Sequence, residues 1–262
     1  MISGQGLHGG EPARIRFERH EGPLEIVQGE AVAKLADLEV VDATRATTIA
    51  GKGLHVRSVE HVFAALAGLG LHRGVRLVIE GAEVPLFDGC AAAFAEALSK
   101  LEVAPSEASL VITRRAEMTL GESRYVFEPH AGVALEVTID FDDARIAKSA
   151  CWDGDPRDFL ARIAPARMFG FAHEIDALAA KGLVSHVAPE SVVVFTPDDV
   201  LFAGRPFEAD EPARHKLLDL AGDLFFHGGP PIGRVIAHRP GHGATHAALR
   251  EAQSMGVVSP RA

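Results

Sequence analysis

An α+β fold is predicted by two observations. Strands come in runs with helices appended, without the regular alternation of strand and crossover helix, and a Pro-containing break divides the 262 residues into two such runs. A hydrophobic fraction of 47% beside 24% charged residues is ordinary globular usage, enough for the core of one or two domains.

The first run opens on a glycine-rich turn, Gly4-Gln5-Gly6-Leu7-His8-Gly9-Gly10. Ala13, Ile15 and Phe17 then alternate with Arg14 and Arg16, as in a half-buried strand. After a mixed strand-and-turn stretch, Val59, Val62, Phe63, Leu66 and Leu69 recur at helical spacing behind Ser58, a residue suited to the N-cap, which predicts a helix over Ser58–Leu69. A strand at Val75–Ile79, a turn at Glu83–Gly89 around Pro85 and an Ala-rich helix at Ala91–Leu101 complete the run. Val103-Ala104-Pro105-Ser106-Glu107 breaks the periodicity, giving expected domains of residues 1–104 and 108–262.

The second run begins with strands near Leu110–Ile112, Arg124–Phe127 and Val133–Phe141, followed by helices at Pro156–Ala164 and His173–Lys181. A buried strand at Ser191–Phe195 leads to the strongest helix of the chain, Pro212–Phe226, with proline in its first turn. A strand at Val235–Ala237 and a helix after Gly241-His242-Gly243 close the pattern.

Charge and cysteine content narrow the function classes. With 26 Lys+Arg against 36 Asp+Glu the net charge is -10, which repels a phosphate polyanion and argues against general nucleic-acid binding. Cys90 and Cys151 lack metal-type spacing, so neither a disulfide scaffold nor a thiolate zinc ribbon is available. No apolar stretch approaches the roughly 18 residues of a membrane span, and the first ten residues lack the layout of a secretory leader. A cytoplasmic, reducing location is expected.

The histidines carry the chemistry. His215, Asp219 and Asp223 stand four residues apart along one helical face, and a His/Asp pair at that spacing can chelate a borderline metal such as zinc. An ordinary polar helix face reads the same way. Glu60-His61 sits in an otherwise apolar helix, where His61 would be a third ligand and leave a coordination position open for water whose proton the adjacent Glu60 takes. The blander alternative is a solvated helix edge with a core histidine. Gly241-His242-Gly243 presents one imidazole on a flexible turn, either a general acid or a surface histidine. Together these residues describe a metal-dependent hydrolase.

Seven segments in order resemble the UDP-3-O-acyl-N-acetylglucosamine deacetylases, the family that performs the committed step of lipid A assembly in Gram-negative bacteria. They are Gly4–Gly10, Ser58-Val59-Glu60-His61, Glu83–Gly89, Ile139-Asp140-Phe141, Ala166-Arg167-Met168-Phe169-Gly170-Phe171, Arg214–Asp223 and Gly241-His242-Gly243. The resemblance implies a two-domain α+β sandwich, each domain a mainly antiparallel sheet packed on helices, with the active site between them. It implies zinc held by His61, His215 and Asp219, with ferrous iron suiting the same donors. Glu60 would be the general base, His242 the group that protonates the leaving amine or stabilises the oxyanion, and Asp223 the residue that orients His242. Lys216 would reach toward the nucleotide phosphates, Phe169 and Gly170 would wall the sugar, and His8 would be structural. The implied substrate is a UDP-sugar with an acyl chain, handled by a monomer without stable membrane insertion.

Three departures bear on the substrate. Met168 stands where the family carries a threonine whose hydroxyl contacts the reacting acetyl group. Gly182–Ala188 replaces a Gly-Gly-Ser segment near the acyl passage, and the Gly-x-Gly turn comes without the strand that the family places before it. A deacetylase of another N-acetylated sugar nucleotide, or a catalytically silent nucleotide-sugar-binding homologue, are therefore the alternatives.

Overall fold

A computed structural model describes residues 1–174 and 188–261. The first half supplies strands β1 (Ile2–Gln5), β2 (Pro12–Pro23), β3 (Glu25–Gln28) and β4 (Ala31–Lys34). Next come a small sheet of β5 (Glu39–Asp42), β6 (Thr48–Gly51) and β7 (Leu54–Val56), helix α1 (Glu60–Gly68), strand β8 (Arg73–Glu80) and helix α2 (Ala92–Ser99). The five longer-range strands order as β1-β2-β8-β3-β4, with β3–β8 the parallel pair and the rest antiparallel.

The second half repeats this plan. After β9 (Leu110–Ile112) come two hairpins, β10 (Ala116–Leu120) with β11 (Ser123–Glu128), and β12 (Val133–Thr138) with β13 (Ser149–Trp152). The short helix α3 (Pro156–Asp158) continues as a π turn over Phe159–Ile163 and leads to a small sheet of β14 (Met168–Phe171), β15 (Val192–Phe195) and β16 (Val200–Leu201). Helix α4 (Glu211–Phe226), strand β17 (Gly233–His238), helix α5 (His242–Ser254) and strand β18 (Val258–Pro260) complete the chain. The order β10-β11-β17-β12-β13 again has one parallel pair, β12–β17. In each half a small sheet is inserted, then a helix delivers a strand into the slot between two hairpins.

The helices lie against the inner faces of the two sheets. Alternation along β2 turns Ala13 and Ile15 inward, and Phe17 meets Phe94 of α2 edge-on at 6.5 Å between ring centroids. One core cluster runs from Ile15 and Ile26 through Phe63 and Phe225 to Phe127 and Val235, so both sheets share it. Helices α1 and α4 form its centre, and every residue of α1 is buried. Their close approach depends on Gly222, where a Cβ would stand 2.0 Å from the carbonyl oxygen of Glu60.

Four expectations are corrected. Ser58 does not cap α1: it adopts φ 58°, its Oγ is buried without a partner, and Val59 holds the cap position. The helix start is tied instead by Val59 N–H to the Thr47 carbonyl at 3.2 Å and Thr47 N–H to Glu60 Oε2 at 2.9 Å. The first residues of the glycine-rich segment are not turn but the end of an edge strand, β1, since Ile2–Gln5 finds a ladder partner in β2. The helix expected over Pro156–Ala164 is α-helical only at its start, because Phe159 and Ile163 turn fully inward where Gly68 leaves room for the Phe159 ring. The strand expected over Val133–Phe141 ends at Thr138. The helix expected at His173–Lys181 and the Gly182–Ala188 segment fall mainly on residues outside those described.

Candidate active site

Three elements aim their side chains at one cavity of about 290 Å³. Helix α1 contributes Glu60 and His61 from its first turn, α4 contributes His215, Lys216 and Asp219 from one face, and α5 contributes His242 from its first residue. Met168, Phe169 and Gly170 of β14 line it together with Phe141 and Phe171, and the half-buried Leu7, the exposed Arg45 and Glu174 complete the lining. All of the residues expected at the site are thus brought together, Asp223 lying buried directly behind His242.

His61 Nε2 and His215 Nε2 each stand 3.5 Å from Asp219 Oδ1, and the two rings meet edge-on with centroids 5.1 Å apart. One ligand atom from each of the three residues fits within 4.8 Å of the others. His215 Nδ1 donates to the Ala166 carbonyl at 3.0 Å, which fixes the tautomer with a bare Nε2 directed at the cluster. Burial holds His215 near 4, despite the pull of Asp219, so the ring is neutral at neutral pH. Burial alone would raise Asp219, but the charge of Lys216 beside it keeps it well below the usual carboxylate range. Two imidazole nitrogens and one carboxylate oxygen suit zinc or ferrous iron, so the donor set fits the expected metal.

Lys216 Nζ is bonded to Asp219 Oδ2 at 2.9 Å, on the oxygen that does not face the histidines. The structure therefore places Lys216 against the ligand set, whereas Arg45 is the exposed cation of the cavity lining. His8 belongs to a different neighbourhood, its backbone N–H donating to buried Glu83 at 3.0 Å, which pins the glycine-rich turn.

Glu60 and the Asp223–His242 pair are both tied to one residue that sequence reasoning missed. Thr47 donates its backbone N–H to Glu60 Oε2 and its hydroxyl to Asp223 Oδ1 at 2.6 Å. Asp223 Oδ2 in turn accepts from His242 Nδ1 at 2.9 Å. Burial disfavours the charged imidazole, but the Asp223 carboxylate outweighs it and raises His242 to about 10, while Asp223 is itself lowered. Thr47 lies 176 residues from Asp223 and gives no local signal. His246, on the Thr47–Asp223 pair, was legible as the residue four beyond His242 on the same helical face.

The Ala166–Phe171 segment is clamped to the start of α4. Arg167 gives its backbone N–H at 3.0 Å and its Nε–H at 2.9 Å to Glu211 Oε1, both side chains being buried. That clamp sets Ala166 against His215 and presents Met168 and Phe169 to the cavity, with the Phe169 ring edge-on to His215 at 6.3 Å.

Comparison with known proteins agrees with this geometry. The profile of the UDP-3-O-acyl N-acetylglycosamine deacetylases matches residues 1–253. A UDP-3-O-acyl-N-acetylglucosamine deacetylase of Thermosynechococcus vestitus is 36% identical over 251 residues, covering 92% of this chain and 86% of its own length. The protein of that name from Myxococcus xanthus is 32% identical over 272 residues, covering 97% and 83%. That from Acinetobacter baumannii (strain ATCC 17978) is 30% identical over 269 residues, covering 96% and 88%. The match spans the helices that bear the cluster as well as both sheets, and the chain belongs to the UDP-3-O-acyl N-acetylglycosamine deacetylase family.

Proposed function

We propose that this chain hydrolyses the N-acetyl group of UDP-3-O-acyl-N-acetylglucosamine, with His61, His215 and Asp219 as the metal ligands, Glu60 as general base and His242 as general acid. The observation that carries the reading is the pairing of a two-histidine, one-carboxylate cluster with a separately held carboxylate and a charged imidazole on the same cavity. Zinc bound there would polarise the amide carbonyl and acidify water, which an unactivated amide requires.

The protein's own groups then divide the proton traffic. Glu60, fixed through Oε2 by the Thr47 N–H, takes a proton from the attacking water. His242, fixed through Nδ1 by Asp223, offers Nε2–H to the departing nitrogen or to the developing oxyanion. Carbon–nitrogen cleavage yields acetate and the free amine. Phe169 and Gly170 bound the space for the sugar, and Met168 meets the acetyl group without a hydroxyl to offer. In its observed position Lys216 neutralises Asp219, and contact with a substrate phosphate requires it to turn away from that oxygen.

Met168 favours one second reading, a deacetylase acting on a related N-acetylated sugar nucleotide with a different or absent acyl chain. A silent nucleotide-sugar-binding protein accounts less well for Glu60 and His242, since a purely structural zinc site is closed by four protein ligands. None of the described helices is long and apolar enough to cross a membrane. A cytoplasmic monomer acting on a nucleotide-activated substrate accompanies this reading, with the halves 1–104 and 108–262 as its two domains.

The deciding measurement is acetate release by the zinc-loaded protein from UDP-3-O-acyl-GlcNAc over a series of acyl lengths, with unacylated UDP-GlcNAc alongside. Turnover of the acylated series alone supports the main reading. Preference for the unacylated sugar moves the assignment to the second, and zinc binding without acetate release from any of them leaves the silent protein. If Met168→Thr raises turnover sharply on the acylated substrate, the missing hydroxyl alone was limiting and the second reading fails.

A further inference from the structure

Behind His242 a run of buried polar groups continues away from the cavity, and the metal chemistry does not use it. His246, 1% exposed, has Nε2 3.0 Å from Thr47 Oγ1 and 3.3 Å from Asp223 Oδ1. Its Nδ1 is 2.9 Å from Nε2 of His227, and His227 lines a second cavity of about 400 Å³ together with His72.

The directions of these bonds follow from the carboxylate. Ionised Asp223 only accepts, so each group facing it donates. Thr47 has one hydroxyl proton, given to Oδ1 at the short distance of 2.6 Å, and can then only accept from His246. His246 therefore carries its proton on Nε2, because a lone pair there would face both the Thr47 and Asp223 oxygens. In the Nε2–H tautomer His246 has a bare Nδ1, which accepts the Nε2–H of His227 at 2.9 Å. Burial lowers His227 to about 4, which keeps that donor neutral.

Two donors on Oδ1 restrain rotation of the carboxylate and leave Oδ2 aimed at His242 Nδ1. We propose that His246 is a positioning residue for His242, clamping Asp223 together with Thr47, and that His227 locks His246 in the tautomer this requires. The inference rests on the reading of His242 as the proton donor of the deacetylase. Polar atoms at both ends of a buried ring are costly unless paired, which explains why both nitrogens of His246 are engaged.

The test combines long-range ¹H–¹⁵N correlation of the imidazoles with kinetics of the zinc-loaded His246→Leu and His246→Gln proteins. Both His246 and His227 are expected as Nε2–H tautomers. His246→Leu is expected to lower kcat about 10- to 100-fold, the usual effect of losing such a supporting contact, with KM and zinc content close to the parent's. Gln, whose amide N–H reaches the place of Nε2, should recover most of the loss. An Nδ1–H tautomer at His246, parent-like kcat in His246→Leu, or a His246→Gln protein as impaired as His246→Leu would each overturn the proposal. Should His246→Leu not fold, His227→Phe takes its place: His246 then mixes tautomers and kcat falls, and an unchanged kcat beside mixed tautomers rejects the idea. A parent that releases no acetate defeats the deacetylase reading instead, while the ring spectra still report on the hydrogen-bond chain.

Discussion

Glu60 and His242 reach the cavity from different helices, and each is fixed by a hydrogen bond on the side away from it. Exchanging Glu60 for Gln removes the proposed base while keeping an acceptor for the Thr47 N–H. Acetate release should drop by about 10²- to 10⁴-fold, with zinc content by elemental analysis unchanged. As the proposed acid His242 needs its proton, and the Asp223 carboxylate keeps it there by raising the ring to about 10. In Asp223→Asn the counter-charge is gone and burial remains, so the alkaline limb of kcat/KM should move to lower pH by about 1–3 units; a limb that stays in place would show that another group sets it. Glu60, His61, His215, Asp219 and His242 were readable in the sequence because each stands out from its surroundings or recurs at helical spacing. Thr47 was not, since a threonine in a short strand gains its role only from what folding brings against it.

Helices α1 and α4 decide the geometry of the cluster, because one bears His61 and the other bears His215 and Asp219. Gly222 is where they touch, a Cβ there falling 2.0 Å from the Glu60 carbonyl. Gly222→Val should force the helices apart, destabilise the protein by about 1–3 kcal/mol as overpacking does, and weaken zinc retention; urea unfolding and metal analysis read the two effects separately. Helix α4 was legible from periodicity with nearly its observed limits, whereas the alternation over Ala13–Phe17 marked only the first part of β2, which runs on to Pro23. The start of α1 was not legible, because no side chain caps it and it is tied instead to the distant Thr47, through Val59 N–H to the Thr47 carbonyl and Thr47 N–H to the Glu60 carboxylate. The π turn after α3 likewise answers to Phe159 packing over Gly68, a contact across 91 positions that no local pattern encodes.

At the scale of the whole molecule, two repeats of one strand plan close on a shared core with the cluster between α1 and α4. A metal that binds the folded cluster should raise Tm by mass action, a gain of about 2.7 kcal/mol at a hundredfold excess over Kd, and chelation should reverse it; calorimetry with zinc and then with chelator measures this. His72 and His227 are each lowered to about 4 by burial. Below their ordinary 6.5 the unfolded chain binds protons that the folded one refuses, so stability should fall as pH drops from 6.5 toward 4. Urea midpoints that are equal at both ends of that window would contradict it. The α+β class, the sequence of elements and the residues able to ligate a metal were set by side-chain type and spacing, which act locally. Tertiary structure alone decided that Lys216 sits on Asp219, that Thr47 joins Glu60 to the Asp223–His242 pair, and that two halves of the chain repeat one topology, since each of these depends on groups that meet only when distant segments pack.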